Sequence, residues 1–112
     1  MNISGQRPQM VCTLTVPATN PPQIQLRGLL DTGADVTVIS FSAWPPTWPM
    51  APLGQVIEGV GGSAQTFVSQ WPVLVRNLEG QTATIWPYIT SALIILWGRD
   101  VLAAWRVHIQ SN

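Results

Sequence analysis

The chain has 112 residues, which is room for one domain, and we expect a single domain over residues 1–112. Charged residues make up only 9% of the chain and apolar residues 46%, so we expect a partner to cover part of the surface. The formal net charge is zero and lysine is absent, which argues against nucleic acid as a partner. The sequence contains no run of about 18 apolar residues, so we expect no membrane-spanning helix.

The cysteine and histidine content excludes several kinds of site. Cys12 is the only cysteine, so it cannot form an intramolecular disulfide. It fits either a reducing compartment or a small, buried apolar side chain. With His108 as the only histidine, the chain cannot build an ordinary zinc site, and we expect neither a metal nor a cofactor. The N-terminus lacks the apolar core of a signal peptide, so we expect no secretion by a signal of its own.

The N-terminal third predicts two strands that lead into a tight turn. Residues 10–16 alternate between apolar and polar side chains, which is typical of a strand with one buried face. A proline-rich turn over residues 17–22 follows, and then a returning strand from Ile24 to Leu30. This second strand leads directly into Asp31-Thr32-Gly33, so the sequence predicts a carboxylate on a turn beside an apolar core.

This turn is the strongest candidate for chemistry in the chain. Burial opposes ionisation of a carboxylate, and a second carboxylate close by opposes it further. Two carboxylates that share one proton can activate water for attack on a peptide bond. Because Asp31-Thr32-Gly33 occurs once, such a pair would need two copies of the chain around a two-fold axis. The alternative is a plain turn capped by the Asp31 side chain, since such tripeptides are common by chance.

Prolines and tryptophans dominate residues 41–52. Proline at this density disfavours a helix or a central strand. We interpret the segment as a rigid surface loop held in place by the rings of Trp44 and Trp48. The alternative is a proline-rich ligand for a recognition domain, which only the Pro45-Pro46 pair supports.

Residues 56–68 predict a hairpin with a glycine-rich tip. Apolar residues lead into Gly59-Val60-Gly61-Gly62, and strand-forming residues follow. Glycine permits positive φ and lets another backbone approach closely. A phosphate-binding loop would need a lysine after the glycines and then a helix, and the sequence has neither. A functional tip and an ordinary hairpin turn both remain open.

The rest of the chain predicts further short strands and one helix. An uninterrupted apolar run over residues 93–97 favours a strand buried on both faces. Many short strands with one late helix indicate an all-β fold that a helix closes. The other predicted strands cover residues 36–40, 71–76, 82–88 and 107–110, and the helix covers residues 99–105.

Three motifs, in this order and at this spacing, resemble the retroviral aspartic proteases, especially those of betaretroviruses and endogenous retroviruses. They are Leu29-Leu30-Asp31-Thr32-Gly33-Ala34-Asp35, Gly59-Val60-Gly61-Gly62 and Leu96-Trp97-Gly98-Arg99-Asp100-Val101-Leu102. The resemblance implies one retropepsin domain: a closed, barrel-like all-β fold with a short C-terminal helix, active as a homodimer. It also implies an aspartic endopeptidase that cleaves extended segments of viral polyproteins, in the virion and in the host-cell cytoplasm during assembly.

The resemblance further implies roles for individual residues. Asp31 would be the catalytic carboxylate, and Thr32 and Gly33 would form the active-site loop, with the Thr32 hydroxyl bonding across the two-fold axis. Arg99 would support this loop by pairing with Asp35, although the two could also form an ordinary surface ion pair. The residues expected to bind substrate are Ala34, Asp35, Gly59, Val60, Gly61, Ile94 and Leu96.

Two other functions remain open at this point. A catalytically silent dimer could serve only as a binding module, although the intact Asp31-Thr32-Gly33 argues against this. A monomeric, precursor-like form could fold and yet stay inactive until it dimerises. In the family that the chain resembles, the terminal strands of two subunits interleave, so we expect residues 2–6 and 107–110 to form that interface.

Overall fold

The computed structural model describes residues 2–4, 8–59 and 62–110. Within these residues the chain forms eleven strands, one 3₁₀ turn and one short helix, which confirms the expected mostly-β class with a late helix. The strands are β1 Asn2–Ser4, β2 Gln9–Thr15, β3 Gln23–Leu30, β4 Val38–Ser40, β5 Met50–Gly59, β6 Gly62–Ser69, β7 Val73–Asn77, β8 Thr82–Ile85, β9 Tyr88–Thr90, β10 Leu96–Trp97 and β11 His108–Gln110; the 3₁₀ turn is Phe41–Ala43 and the helix, α1, is Arg99–Leu102.

Most of the described strands lie in one nine-stranded sheet, in the order β5-β6-β9-β4-β10-β3-β2-β7-β8. The two-residue strand β10 is parallel to β3, with Trp97 opposite Leu30. On its other side β10 is antiparallel to β4, with Leu96 opposite Val38. The loop between β3 and β4, residues 31–37, therefore passes the end of β10, and this crossing places Asp31 beside the segment that enters α1.

The predicted alternation of β2 is confirmed. Met10, Cys12, Leu14 and Val16 are all buried in the core. The strand pairs with β3 on one side and with β7 on the other, so its backbone is hydrogen-bonded along both edges. A central strand with one face in the core fixes the position of β3, and with it the position of the turn that follows.

The proline-rich segment is held by its tryptophans, as predicted. Trp44 and Trp48 are buried, with ring centroids 5.2 Å apart in an edge-to-face arrangement. The indole N–H of Trp44 donates to the Trp48 carbonyl at 2.9 Å, and that of Trp48 donates to the Pro21 carbonyl at 2.8 Å. The predicted loop ends earlier than expected, because β5 begins at Met50 and includes Pro52. This is compatible with proline because β5 is an edge strand of the sheet.

The predicted strand over residues 93–97 is wrong for its first half. Only Leu96 and Trp97 are in a strand, and the Leu93 side chain is 88% exposed. A continuous apolar run gives no information about where its pairing partners end, and here β10 pairs with only the last two residues of β3. The helix is also shorter than predicted, since α1 ends at Leu102 and Arg106 has a positive φ of 54°.

The predicted strand over residues 82–88 is interrupted. Strand β8 ends at Ile85 and β9 begins at Tyr88, and these two strands lie at different positions in the sheet. Pro87 explains the break, because it has no N–H to donate to a ladder and restricts the conformation of the residue before it. The predicted strand over residues 36–40 shortens to β4, which begins at Val38.

The predicted glycine-tipped hairpin is formed by β5 and β6. The strands pair from Met50 opposite Ser69 to Gly59 opposite Gly62, with an irregularity between Pro52 and Val56. Its base is joined to the rest of the sheet through β6 and β9. Val60 and Gly61, at the expected tip, lie outside the described residues.

The terminal strands pair with each other within one chain. Strand β1 is parallel to β11, with Asn2 opposite His108, and the two form a separate sheet. Residues 2–4 and 108–110, which belong to the segments expected to interleave between two subunits, are thus paired with each other in the single chain. No helix among the described residues is long and apolar enough to span a membrane.

Candidate active site

The Asp31 turn is fixed where it leaves strand β3. The Asp31 N–H donates to the Trp97 carbonyl at 3.0 Å, and the Leu30 N–H donates to the Pro8 carbonyl at 2.8 Å. Because Leu30 is buried, the carboxylate that follows it is held at the edge of the core, and Asp31 itself is partly exposed. The turn thus presents a carboxylate at the surface from a hydrogen-bonded backbone.

The turn has the internal hydrogen bonds of a side-chain-capped loop. The Gly33 N–H donates to Asp31 Oδ1 at 2.9 Å, and the Ala34 N–H donates to the Asp31 carbonyl at 3.1 Å. These bonds match the plain-turn alternative, and they also set the orientation of the carboxyl group. Thr32 and Gly33 are exposed on the same turn, where a partner or a ligand can reach them.

Arg99 joins helix α1 to this turn. Its guanidinium forms an ion pair with the Asp35 carboxylate through Nη2, and its Nη1 donates to the Thr32 carbonyl at 2.9 Å. The Arg99 backbone N–H donates to the Ala34 carbonyl at 2.8 Å. The two ionic side chains are 54% and 77% exposed, so water weakens their attraction. Support from Arg99 therefore depends on its bonds to the loop backbone as well as on its charge.

The structure brings some of the expected substrate-binding residues to this turn and leaves others apart. Leu96 lies in β10, next to the strand that ends at the turn. Ile94 lines a groove of about 250 Å³ with Arg27 and Leu29, and Asp31 is not part of that groove's lining. Gly59 is at the described end of β5, on the hairpin whose expected tip residues fall outside the description.

A contact at the end of the Asp31 loop joins two residues to which the sequence assigned no role, Thr37 and Asp100. The Thr37 side chain and backbone both donate to the Asp100 carboxylate, at 2.8 and 2.9 Å. The two residues are 63 positions apart in the chain, so no local spacing reveals the contact. The only signal available is the polar Thr37 in an apolar run, at a position that the strand pattern places in the core.

The remaining candidate groups do not provide an alternative nucleophile or metal centre at this site. Cys12 is buried, and burial raises the pKa of its thiol to about 12, so it is protonated near neutral pH. Across the parts of the chain that the structure describes, no cluster of three or more His, Cys, Asp and Glu residues could hold a metal ion. The chemically usable group on the turn is the Asp31 carboxylate.

Comparison with known proteins places this arrangement in a family. The family model described as "Retroviral aspartyl protease" matches residues 4–110. The human "Endogenous retrovirus group K member 10 Pro protein" is 36% identical over 85 residues, which cover 76% of this chain and 54% of that protein. The corresponding group K member 25 Pro protein is 38% identical over the same length.

A solved structure agrees with the sequence relatives. The structure titled "EIAV protease complexed with the inhibitor HBY-793" superposes with a TM-score of 0.66 at 26% identity, covering 91% of this chain and 90% of that one. The chain spans about half the length of the curated relatives that it matches. The match over residues 4–110 includes the Asp31 turn, strand β10 and helix α1, and this chain belongs to the retroviral aspartyl protease family.

Proposed function

We propose that the chain is an aspartic endopeptidase, one retropepsin domain over residues 1–112, that acts as a homodimer on viral polyproteins. Asp31 from each of two chains would face a single substrate-binding cleft on the two-fold axis. The observation that supports this most directly is the Asp31 turn, anchored to β10 and α1, in a member of this family. The proposed place of action is the virion and the host-cell cytoplasm during assembly.

The mechanism needs two carboxylates because one cannot serve as base and acid at once. Two Asp31 side chains roughly 3 Å apart would share one proton, since both cannot be ionised at that distance. The ionised one takes a proton from water as the oxygen attacks the scissile carbonyl carbon, and the protonated one gives its proton to the carbonyl oxygen. The tetrahedral intermediate then breaks its C–N bond as the Asp31 that took the proton from water gives it to the amine nitrogen, and the other Asp31 takes a proton from a hydroxyl of the intermediate. No covalent bond to the enzyme forms.

The other predicted site residues would hold the peptide in place. The glycine-rich tip at Gly59, Val60 and Gly61 would close over an extended peptide and exclude water. Ala34 and Asp35 would bind substrate from below, while the half-buried Ile94 and Leu96 would contact its apolar side chains. The Thr32 hydroxyl would bond across the two-fold axis and align the two turns. A closed barrel in the assembled dimer belongs to the same proposal.

One observation favours a second form of the same protein. Strands β1 and β11 pair within one chain, so a monomer can pair one edge of each of its terminal strands. This supports the monomeric, precursor-like alternative as an inactive state that precedes dimerisation. Sedimentation at a series of protein concentrations, with peptidase activity measured on the same samples, separates this state from a permanent dimer.

The experiment that tests the proposed function compares the wild-type chain with Asp31→Asn. An amide cannot take a proton from water, so we expect the variant to keep its fold, measured by circular dichroism, and to lose cleavage of a peptide library. Because asparagine can still accept the Gly33 N–H bond, loss of the turn would not explain the loss of activity. Substantial cleavage by purified Asp31→Asn protein would refute the assignment.

A further inference from the structure

Hydrogen bonds between Thr37 and Asp100 tie the end of the Asp31 loop to helix α1. Thr37 is fully buried. Its backbone N–H donates to Asp100 Oδ2 at 2.9 Å, and its hydroxyl donates to Asp100 Oδ1 at 2.8 Å. The same hydroxyl accepts a bond from the Gly98 N–H at 3.2 Å. One threonine thus contacts both the helix and the segment that enters it.

The geometry at Asp100 requires a carboxylate. In addition to the Thr37 hydroxyl, Oδ1 accepts the Val101 N–H at 2.9 Å, so both oxygens act as acceptors for backbone N–H groups. An asparagine has one oxygen and one NH₂ group in the same space. In one orientation its NH₂ would face the Thr37 N–H, and in the other it would face the Val101 N–H. Either way two donors meet, so Asp100→Asn breaks the contact without changing its size.

The middle of the loop is packed against the same segment. The Arg99 N–H donates to the Ala34 carbonyl at 2.8 Å. A Cβ at Gly98 would lie 2.6 Å from the Val36 carbonyl carbon and 2.9 Å from the Ala34 oxygen, which leaves no space for a side chain. With its start bonded to β10, its middle in contact with Gly98 and its end bonded at Thr37, the loop has little freedom to move.

We propose that Thr37 and Asp100 are positioning residues for peptide hydrolysis. They hold the loop so that the Asp31 carboxylate keeps the orientation that attack by water needs, although neither residue touches the peptide. A displacement of about 1 Å at a reacting group can cost about 100-fold in rate, so a rigid loop matters more for turnover than for binding. This inference rests on the proposed function, because it requires Asp31 to be catalytic.

The chain provides a matched control for the test. Thr37 and Thr66 are both 0% exposed, and the Thr66 hydroxyl has no hydrogen-bond partner. We expect Thr37→Val to lower kcat about 10- to 100-fold with KM nearly unchanged. Thr66→Val makes the same chemical change without removing a bond, and Thr37→Ser keeps the hydroxyl, so both should retain wild-type kcat.

The rate must be expressed per active site, so that loss of folded protein is not counted as loss of turnover. Sites are titrated with a tight-binding peptide that carries a hydroxyethylene group in place of the scissile amide. Asp100→Asn is the second test variant, and we expect the same loss of kcat. If Thr37→Val does not fold, Asp100→Asn decides whether the contact has a positioning role.

Two results would overturn the positioning role. One is a kcat per titrated site that stays at the wild-type value in the test variants, which would make the contact purely structural. The other is an equal loss of kcat in Thr66→Val. Failure of the proposed function gives a different pattern, in which the wild-type chain cleaves no peptide or Asp31→Asn cleaves as fast as the wild type, and it overturns both proposals.

Discussion

Asp31 depends on residues far from it in the chain. Its own turn can be predicted locally, since an apolar strand followed by Thr32-Gly33 favours a tight, side-chain-capped turn. The contacts that hold this turn cannot be predicted locally. The Trp97 carbonyl and the Thr37–Asp100 contact are brought to the Asp31 loop only by the tertiary fold. The sequence therefore identifies the proposed catalytic carboxylate, and the structure identifies the contacts that hold its turn.

Substitution of Arg99 tests how much the exposed Arg99–Asp35 ion pair contributes to stability and to activity. Because the Arg99 and Asp35 side chains are 54% and 77% exposed, we expect Arg99→Ala to lower the free energy of unfolding of the monomer by only about 1 kcal/mol or less. We expect the loss of peptidase activity to be larger than this small loss of stability implies, because the Thr32 carbonyl in the active-site loop also loses its donor. Urea unfolding and kcat are measured together, with Arg76→Ala as a control for charge removal on β7. A destabilisation of several kcal/mol would contradict an ion pair that water weakens.

Cys12 gives a prediction for the pH dependence of stability. Burial raises the pKa of its thiol from 9.0 to about 12. Between these two pH values the unfolded chain has released the thiol proton and the folded chain has kept it, so stability falls as pH rises. The contribution of the Cys12 thiol to stability is fully present below pH 9. Above that pH the free energy of unfolding falls with a slope that approaches about 1.4 kcal/mol per pH unit.

Comparison with Cys12→Ala isolates this effect from other groups that titrate at high pH. The free energy of unfolding is measured in urea below and above pH 9 for both proteins. The wild type should lose stability more steeply than the variant above that pH. Parallel pH profiles for the two proteins would contradict the burial of the thiol.

At the scale of elements, alternation of apolar and polar residues predicts a strand well where one face of the strand is buried. It predicts a strand poorly where the length of the neighbouring strand decides how many residues pair. The alternation in β2 leaves little choice of face, and the structure agrees. The run Leu93–Trp97 carries no such pattern, and its first three residues lie outside the sheet, where β10 pairs with only the last two residues of β3. The prediction of a single strand over residues 82–88 is wrong because Pro87 lacks the backbone donor that a continuous strand needs there.

Trp97 shows why the short strand β10 is stable. Its ring is fully buried, and its indole N–H donates to the Met10 carbonyl at 2.8 Å. We expect Trp97→Phe to lower the free energy of unfolding by about 1–3 kcal/mol, because a buried carbonyl loses its donor. Trp86, which is 51% exposed, provides the control, and Trp86→Phe should change the value by about 0.5 kcal/mol or less. Equal effects in urea unfolding would contradict the anchoring role of Trp97.

For the whole molecule, the low charge content and the single Asp31 turn both support the proposal that one chain is half of the working unit. The class of fold could be predicted from the order of motifs, and the structure and the comparisons agree with it. The pairing of the termini could not be predicted, since short strands at the chain ends can pair within one copy or between two. In this structure β1 pairs with β11 of the same chain, so a dimer in which β1 pairs with the β11 of a second copy would require these strands to exchange partners.

The central claim is that two Asp31 carboxylates, one from each chain, form one active site. Its most direct test mixes wild-type protein with an equal amount of Asp31→Asn under conditions that let chains exchange, and measures total peptidase activity. Random pairing makes only a quarter of the dimers fully wild type, so total activity should fall to about one half of that of the wild-type sample alone. An equal amount of an inert protein is the control. Activity that stays unchanged or rises after full exchange would mean that dimers with a single Asp31 carboxylate are active, and would contradict the account.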